Sequence, residues 1–124
     1  MAGTIAADTL THSTAGSLTT DYVVNGSAKY WVDFNGSGTV AVRDSLNHSG
    51  LVDDGPGIFT ISYTNSFNNA NYCAVGGQSD NNGTIAVPRQ TTDLATGSTV
   101  IRTTNGSTAN DASYNHVAIF GDLA

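Results

Sequence analysis

The sequence predicts an all-β fold, an antiparallel β-sandwich or jelly-roll-like barrel with an extended N-terminal arm. Three observations lead there. Thr (17), Gly (14), Ser (12) and Asn (12) make up 55 of the 124 residues, a mixture of strand and turn formers with few long side chains. All ten acidic residues are Asp and there is a single Lys, so the residues that decorate solvated helices are almost missing. From Tyr30 onward apolar residues alternate with period two, interrupted by glycine-rich turns.

Residues 1–20 differ in kind from the rest. Ile5, Leu10 and Leu18 are isolated among Thr, Ser, Ala and Gly, with no period long enough to bury a face. They read as an extended docking arm, ordered only against a partner, ahead of a single β-sandwich domain over residues 21–124. Asn25-Gly26, between Tyr22-Val23-Val24 and Ser27-Ala28-Lys29, reads as the first hairpin turn. Tyr30-Trp31-Val32-Asp33-Phe34 places Tyr30, Val32 and Phe34 on one face and Trp31 and Asp33 on the other. After the turn at Asn35-Gly36-Ser37-Gly38 comes Thr39-Val40-Ala41-Val42-Arg43, with Val40 and Val42 expected inward.

Asp53-Asp54-Gly55-Pro56-Gly57 is a dense turn cluster, and Ile58 to Tyr63 then puts Phe59, Ile61 and Tyr63 on one face. Asn65 to Asn71 reads as a polar loop, Tyr72 to Val75 as a buried strand and Gly76 to Asn82 as another loop. Gly83 to Val87 reads as a strand, closed at a sheet edge by Pro88. Asn105-Gly106 is a third hairpin signal, after Ser98-Thr99-Val100-Ile101-Arg102. In the last segment, Ser113 to Phe120, Tyr114, His116, Ala118 and Phe120 face one way and Asn115, Val117 and Ile119 the other; both faces are apolar near its end, which predicts a central strand. The turn spacing gives seven to nine short strands.

Charge and cysteine content restrict the function. A net charge of −6 with four scattered basic residues cannot neutralise a run of phosphates, so no nucleic-acid partner is expected. The longest apolar runs have four residues, against about 18 for a membrane span. No basic start followed by an apolar stretch follows Met1, so an ordinary signal peptide is not expected. Cys73 is alone, which excludes an intramolecular disulfide, and it reads as a small buried apolar side chain. A domain this small, with no disulfide or metal staple, points to oligomerisation.

Catalytic signatures are missing. His12, His48 and His116 have no Gly-x-Ser-x-Gly elbow or His-Glu-x-x-His helix around them, and Asp53 and Asp54 are adjacent, so they point apart instead of converging on one bond. No enzymatic activity and no cofactor are expected. Asp80-Asn81-Asn82-Gly83 is an oxygen-rich loop able to approach calcium, but it lacks the alternating ligand spacing and the later Glu, and reads as an Asn-Gly turn. Four of the five Asn-x-Ser/Thr triplets, at Asn25, Asn35, Asn82 and Asn105, are Asn-Gly turns; the fifth is at Asn47. Arg43, Arg89 and Arg102 are expected to pair with Asp or cap carbonyls. Trp31 and the five tyrosines (Tyr22, Tyr30, Tyr63, Tyr72, Tyr114) are expected in the core or in interfaces. The alternative is stacking on a sugar, for which Trp31 and Tyr63 are the candidates.

One resemblance adds to this reading. Ala7-Asp8-Thr9-Leu10-Thr11, Tyr22 to Lys29 and Trp31-Val32-Asp33-Phe34-Asn35-Gly36-Ser37-Gly38-Thr39-Val40-Ala41-Val42-Arg43-Asp44-Ser45 resemble small virion proteins of tailed bacteriophages. The likeness continues through Val52-Asp53-Asp54-Gly55, Asn69-Ala70-Asn71-Tyr72 and Val117-Ala118-Ile119-Phe120-Gly121. It implies a non-enzymatic structural module on the particle exterior, of the tail-fibre, head-fibre or capsid-decoration type. Such a module assembles with itself, as a homotrimer in fibre-type proteins, and contacts other virion proteins. The chain lacks a long shaft, which gives a small surface protein docked through its N-terminal arm comparable standing with a tail-fibre module. The alternative function is a carbohydrate-binding, lectin-like module that recognises a host surface glycan.

Overall fold

A computed structural model describes residues 3–79, 83–86 and 91–124. The Asp80–Asn82 loop, Arg89 and the expected stop at Pro88 lie outside the described residues. Two antiparallel sheets face each other. The first runs β4 (Ala41–Leu46), β3 (Tyr30–Asn35), β11 (Asn115–Phe120), β7 (Cys73–Gln78), and the second β10 (Thr108–Ala109), β9 (Ser98–Asn105), β6 (Ile58–Tyr63), β5 (His48–Gly55), with β8 (Gly83–Ala86) paired to β9.

The first sheet begins with the predicted hairpin of β3 (Tyr30–Asn35) and β4 (Ala41–Leu46). Its two inner strands are β3 and β11 (Asn115–Phe120), and β7 (Cys73–Gln78) forms the far edge. The second sheet contains β5 (His48–Gly55), β6 (Ile58–Tyr63), β8 (Gly83–Ala86), β9 (Ser98–Asn105) and β10 (Thr108–Ala109). A 3-10 turn at Thr91–Asp93 precedes β9. The chain passes from one sheet to the other at Asn47, whose φ of 60° makes the corner. The Asn47 side chain holds that corner, accepting from the Asn65 N–H at 2.7 Å and donating to the Asn65 carbonyl at 3.0 Å.

The alternation read from the sequence builds the core. Tyr30, Val32 and Phe34 from β3, Val117 and Ile119 from β11, Phe59, Ile61 and Tyr63 from β6 and Ile101 from β9 are buried together. Edge-to-face pairs join the sheets: Phe34 with Phe59 at 5.1 Å and Tyr30 with Tyr63 at 4.9 Å between ring centroids. The expected central position of the last strand is found, with β11 between β3 and β7.

The structure corrects several expectations. Over the described residues of the expected arm, 3–20, the chain is not simply extended: β1 (Thr9–His12) and β2 (Gly16–Thr19) pair as a hairpin. The His12 ring accepts N–H bonds from Thr14 and Ala15 at the tip, and Gly16 (φ 94°) supplies the left-handed residue. Tyr22 to Gly26 is not a strand and turn. It belongs to a seven-residue helix, α1 (Thr20–Gly26), because Tyr22-Val23-Val24 has no strand to pair with, and Lys29 caps the carbonyls of Val24 and Ser27.

Val42 shares the face of its partner Phe34, as expected, but on the edge strand β4 it stays exposed instead of buried. A bulge between Asp33 and Phe34 pairs Phe34 with Val42 and Asp33 with Asp44, leaving Arg43 as the extra residue. Cys73 is exposed, and Val75 with it, so the segment from Tyr72 is not a buried strand. Residues Ala74, Gly76 and Gln78 take the inward positions of β7, and the strand runs on through Gly76–Gln78 where a loop was expected. The loop at Asn65–Asn71 also buries an aromatic ring, Phe67, beneath Tyr72. Among the described residues no helix is long and apolar enough to cross a membrane.

Candidate functional site

Strand pairing aligns side chains in rows on the outer face of the first sheet. Trp31 on β3 lies opposite Leu46 on β4 and Ala118 on β11, and Ala118 in turn lies opposite Val75 on β7. One pleat along, Asp44, Asp33, His116 and Gly77 form the next row. The small residues Ala118 and Gly77 floor a shallow groove of about 460 Å³, lined on one side by Trp31 and on the other by Val75. Because neighbouring strands lie about 4.8 Å apart, those two walls stand about 10 Å from each other.

The polar end of the groove is held in place by the bulge. Arg43, turned aside as the extra residue, donates to Asp33 Oδ1 at 3.2 Å and to the Ser113 carbonyl at 2.6 Å. Its guanidinium lies 4.0 Å from the centroid of the Tyr114 ring, a cation–π contact that fixes it further. His116 Nδ1 approaches the same Asp33 oxygen at 3.6 Å. Asp33 Oδ2 and His116 Nε2 have no partner among the described residues, so a carboxylate acceptor and a ring nitrogen remain available beside the indole.

Of the candidate glycan contacts, only Trp31 is on this surface. Tyr63 is buried; its hydroxyl donates to the Tyr72 hydroxyl at 3.2 Å, so it cannot meet a ligand. Burial pushes the Tyr63 phenol well above its ordinary range, reinforced by the Tyr72 hydroxyl and offset in part by the bond with Thr99. The arm residues Ile5, Leu10 and Leu18 are all exposed. Sequence reasoning missed His116, Val75 and Gly77 as groove residues, although the alternation had already put His116 and Ala118 on one face.

The three histidines lie in separate places: His12 at the hairpin tip, His116 in the groove and His48 at the sheet-to-sheet corner, 2.9 Å from the Tyr30 hydroxyl. Among the described residues no three His, Cys or Asp side chains could together hold a metal ion. Asp53 accepts from the Gly55 N–H and Asp54 from the Thr60 hydroxyl, so both carboxylates serve their turn. Arg102 pairs with the buried Asp93 at 3.2 Å, the kind of partner expected for the arginines.

Burial holds the His48 imidazole below its ordinary value of 6.5. As the pH falls, the unfolded chain takes up that proton first, so stability declines from just above 6.5 until folded His48 also protonates. His48→Gln is expected to reduce the drop in urea midpoint between about pH 7.5 and about pH 5. An unchanged drop would assign it to another group.

No protein-family model, no curated protein and no solved structure matches this chain.

Proposed function

We propose that this chain is a non-enzymatic structural protein of a bacteriophage particle exterior, of the tail-fibre, head-fibre or capsid-decoration type. It assembles with itself, as a trimer, and attaches to other virion proteins through its N-terminal hairpin and helix. The observation that carries the attachment is the state of the N-terminal apolar side chains. No residue from 3 to 27 is buried, yet the segment holds Ile5 at 92% exposure, Tyr22 at 70% and Val24 at 58%, along with Leu10 and Leu18. Ile5, Leu10, Val23 and Val24 line one surface hollow, and such a set is an unfavourable surface for an isolated chain and a normal one for an element that packs against a partner. The sandwich core closes without them, because its cluster starts at Tyr30.

The resemblance in the strings around Trp31 to Arg43 supports the particle, and the sparse charge supports packing between copies, where long charged side chains would lose entropy.

Removing residues 1–27 is expected to leave a cooperatively unfolding sandwich that no longer sediments with particles, while the full chain does. A truncated chain that still sediments with particles would overturn the attachment. Light scattering of the full chain at micromolar concentration is expected to give a trimer; a monomer would count against self-assembly.

A further inference from the structure

We propose that the groove between Trp31 and Val75 is a binding site for a neutral saccharide, with one pyranose ring lying against the Trp31 indole. This inference stands apart from particle attachment, since it uses only the outer face of the first sheet.

The shape of the groove is the first argument. A floor of Ala118 and Gly77 carries no bulk, and an indole forms one wall, so a flat ring fits lengthwise between walls about 10 Å apart. A pyranose has an apolar C–H face and a rim of hydroxyls. The C–H face matches the indole, and the hydroxyls match the polar groups at the groove's end. Asp33 Oδ2 accepts from one or two hydroxyls, and His116 Nε2 exchanges a hydrogen bond with another. Arg43 keeps the carboxylate in place before any ligand arrives, which lowers the ordering cost of binding.

Charge narrows the ligand class. The Asp33 carboxylate is already paired with Arg43, so the groove gains little from a cation. Asp44 stands directly opposite Asp33, and the chain carries −6 overall, so an anionic sugar is disfavoured. A peptide strand would add only along the open edge of β7, beside the groove and not across it, because β3 and β11 beneath the groove are interior strands already paired on both sides. A neutral, hydroxyl-rich ring satisfies each of these conditions.

Trp31 is the sole tryptophan, so its emission reports directly on this site. The test titrates the full chain with neutral oligosaccharides of glucose, galactose and N-acetylglucosamine while following that emission. At least one series is expected to give a saturable change. Gly77→Val should weaken it at least tenfold without lowering the unfolding midpoint, because a Cβ at Gly77 meets no atom within 4 Å and its φ is not left-handed. Asp33→Asn should weaken it too, while Trp31→Ala should abolish binding measured by calorimetry. No saturable change with any of the three sugars overturns the proposal, as does a Gly77→Val chain that binds like the parent. A Gly77→Val chain that changes oligomeric state, with no saccharide binding in the parent, would assign the groove to a second copy instead.

Discussion

Phe59→Ala is expected to lower the free energy of unfolding by about 3–5 kcal/mol. The ring has no solvent exposure and meets Phe34 edge to face across the two sheets. It also packs against Gly36, where an added Cβ would lie only 2.7 Å from the ring's outermost carbon. A backbone stands on one side and a paired ring on the other, so the site cannot collapse to fill the void left by alanine. Domains of this kind hold roughly 5–15 kcal/mol in total, so the loss removes a large share of the margin. Urea unfolding should show a much lower midpoint with the slope unchanged. Phe59→Leu, which retains most of the volume, should lose about 1.5 kcal/mol. A Phe59→Ala loss below about 1 kcal/mol would mean that this ring does not join the sheets.

The residues that make this core were legible in the sequence because strand alternation is a local property. Tyr30, Val32 and Phe34, and Phe59, Ile61 and Tyr63, announce their faces within six residues, and the structure buries all six. What was not legible depends on distant partners. Phe67 sits among Ser, Asn and Ala with no period, and is buried because its ring packs on Tyr63 and Tyr72, at 5.0 and 4.7 Å between centroids. Cys73 and Val75 looked like interior residues, yet on β7 the smaller set of Ala74, Gly76 and Gln78 faces inward. A one-residue choice of register decides which set faces the other sheet, and hydrophobicity alone favoured the wrong one. Asn115, Thr99 and Thr103 show the converse: polar residues fully buried in strands. Asn115 donates to the Ala112 carbonyl at 2.9 Å, a bond that no alternation pattern announces, while its Oδ1 is buried with no partner among the described residues.

The groove divides along the same line. Trp31 and Asp33 were assigned to the outer face by alternation, and Ala118 and His116 shared a face of their own strand. That Trp31 meets Ala118 and Ala118 meets Val75 is set by pairing between segments more than forty residues apart. The bulge that frees Arg43 to grip Asp33 is likewise a property of two strands together. The N-terminal hairpin and helix were unreadable for a different reason. Their residues bury nothing, so no hydrophobic period marks them, and Asn25-Gly26 ends a helix with the same dipeptide that makes a hairpin.

Gly57→Ala is expected to destabilise the domain by more than about 3 kcal/mol, while Gly106→Ala, at nearly the same backbone angle, loses only about 1 kcal/mol. Both glycines are left-handed, with φ of 66° and 65°, so both variants carry the same intrinsic strain. Their surroundings differ. At Gly106 an added Cβ meets nothing within 4 Å, whereas at Gly57 it would lie 2.3 Å from the Thr103 carbonyl oxygen and 2.7 Å from the Asn110 N–H nitrogen. Neither atom belongs to a flexible side chain that could swing away. The Gly57 carbonyl accepts from the Thr103 N–H at 2.8 Å, and the Gly57 N–H donates to Asp111 at 2.6 Å. The turn between β5 and β6 is therefore bonded to β9 and to the segment after β10 at the point where the methyl must go. Relieving the overlap would break those bonds and leave buried polar groups unpaired. Urea midpoints of the two variants measured side by side isolate this contribution. Equal losses would show that the turn can shift away from β9 at no cost.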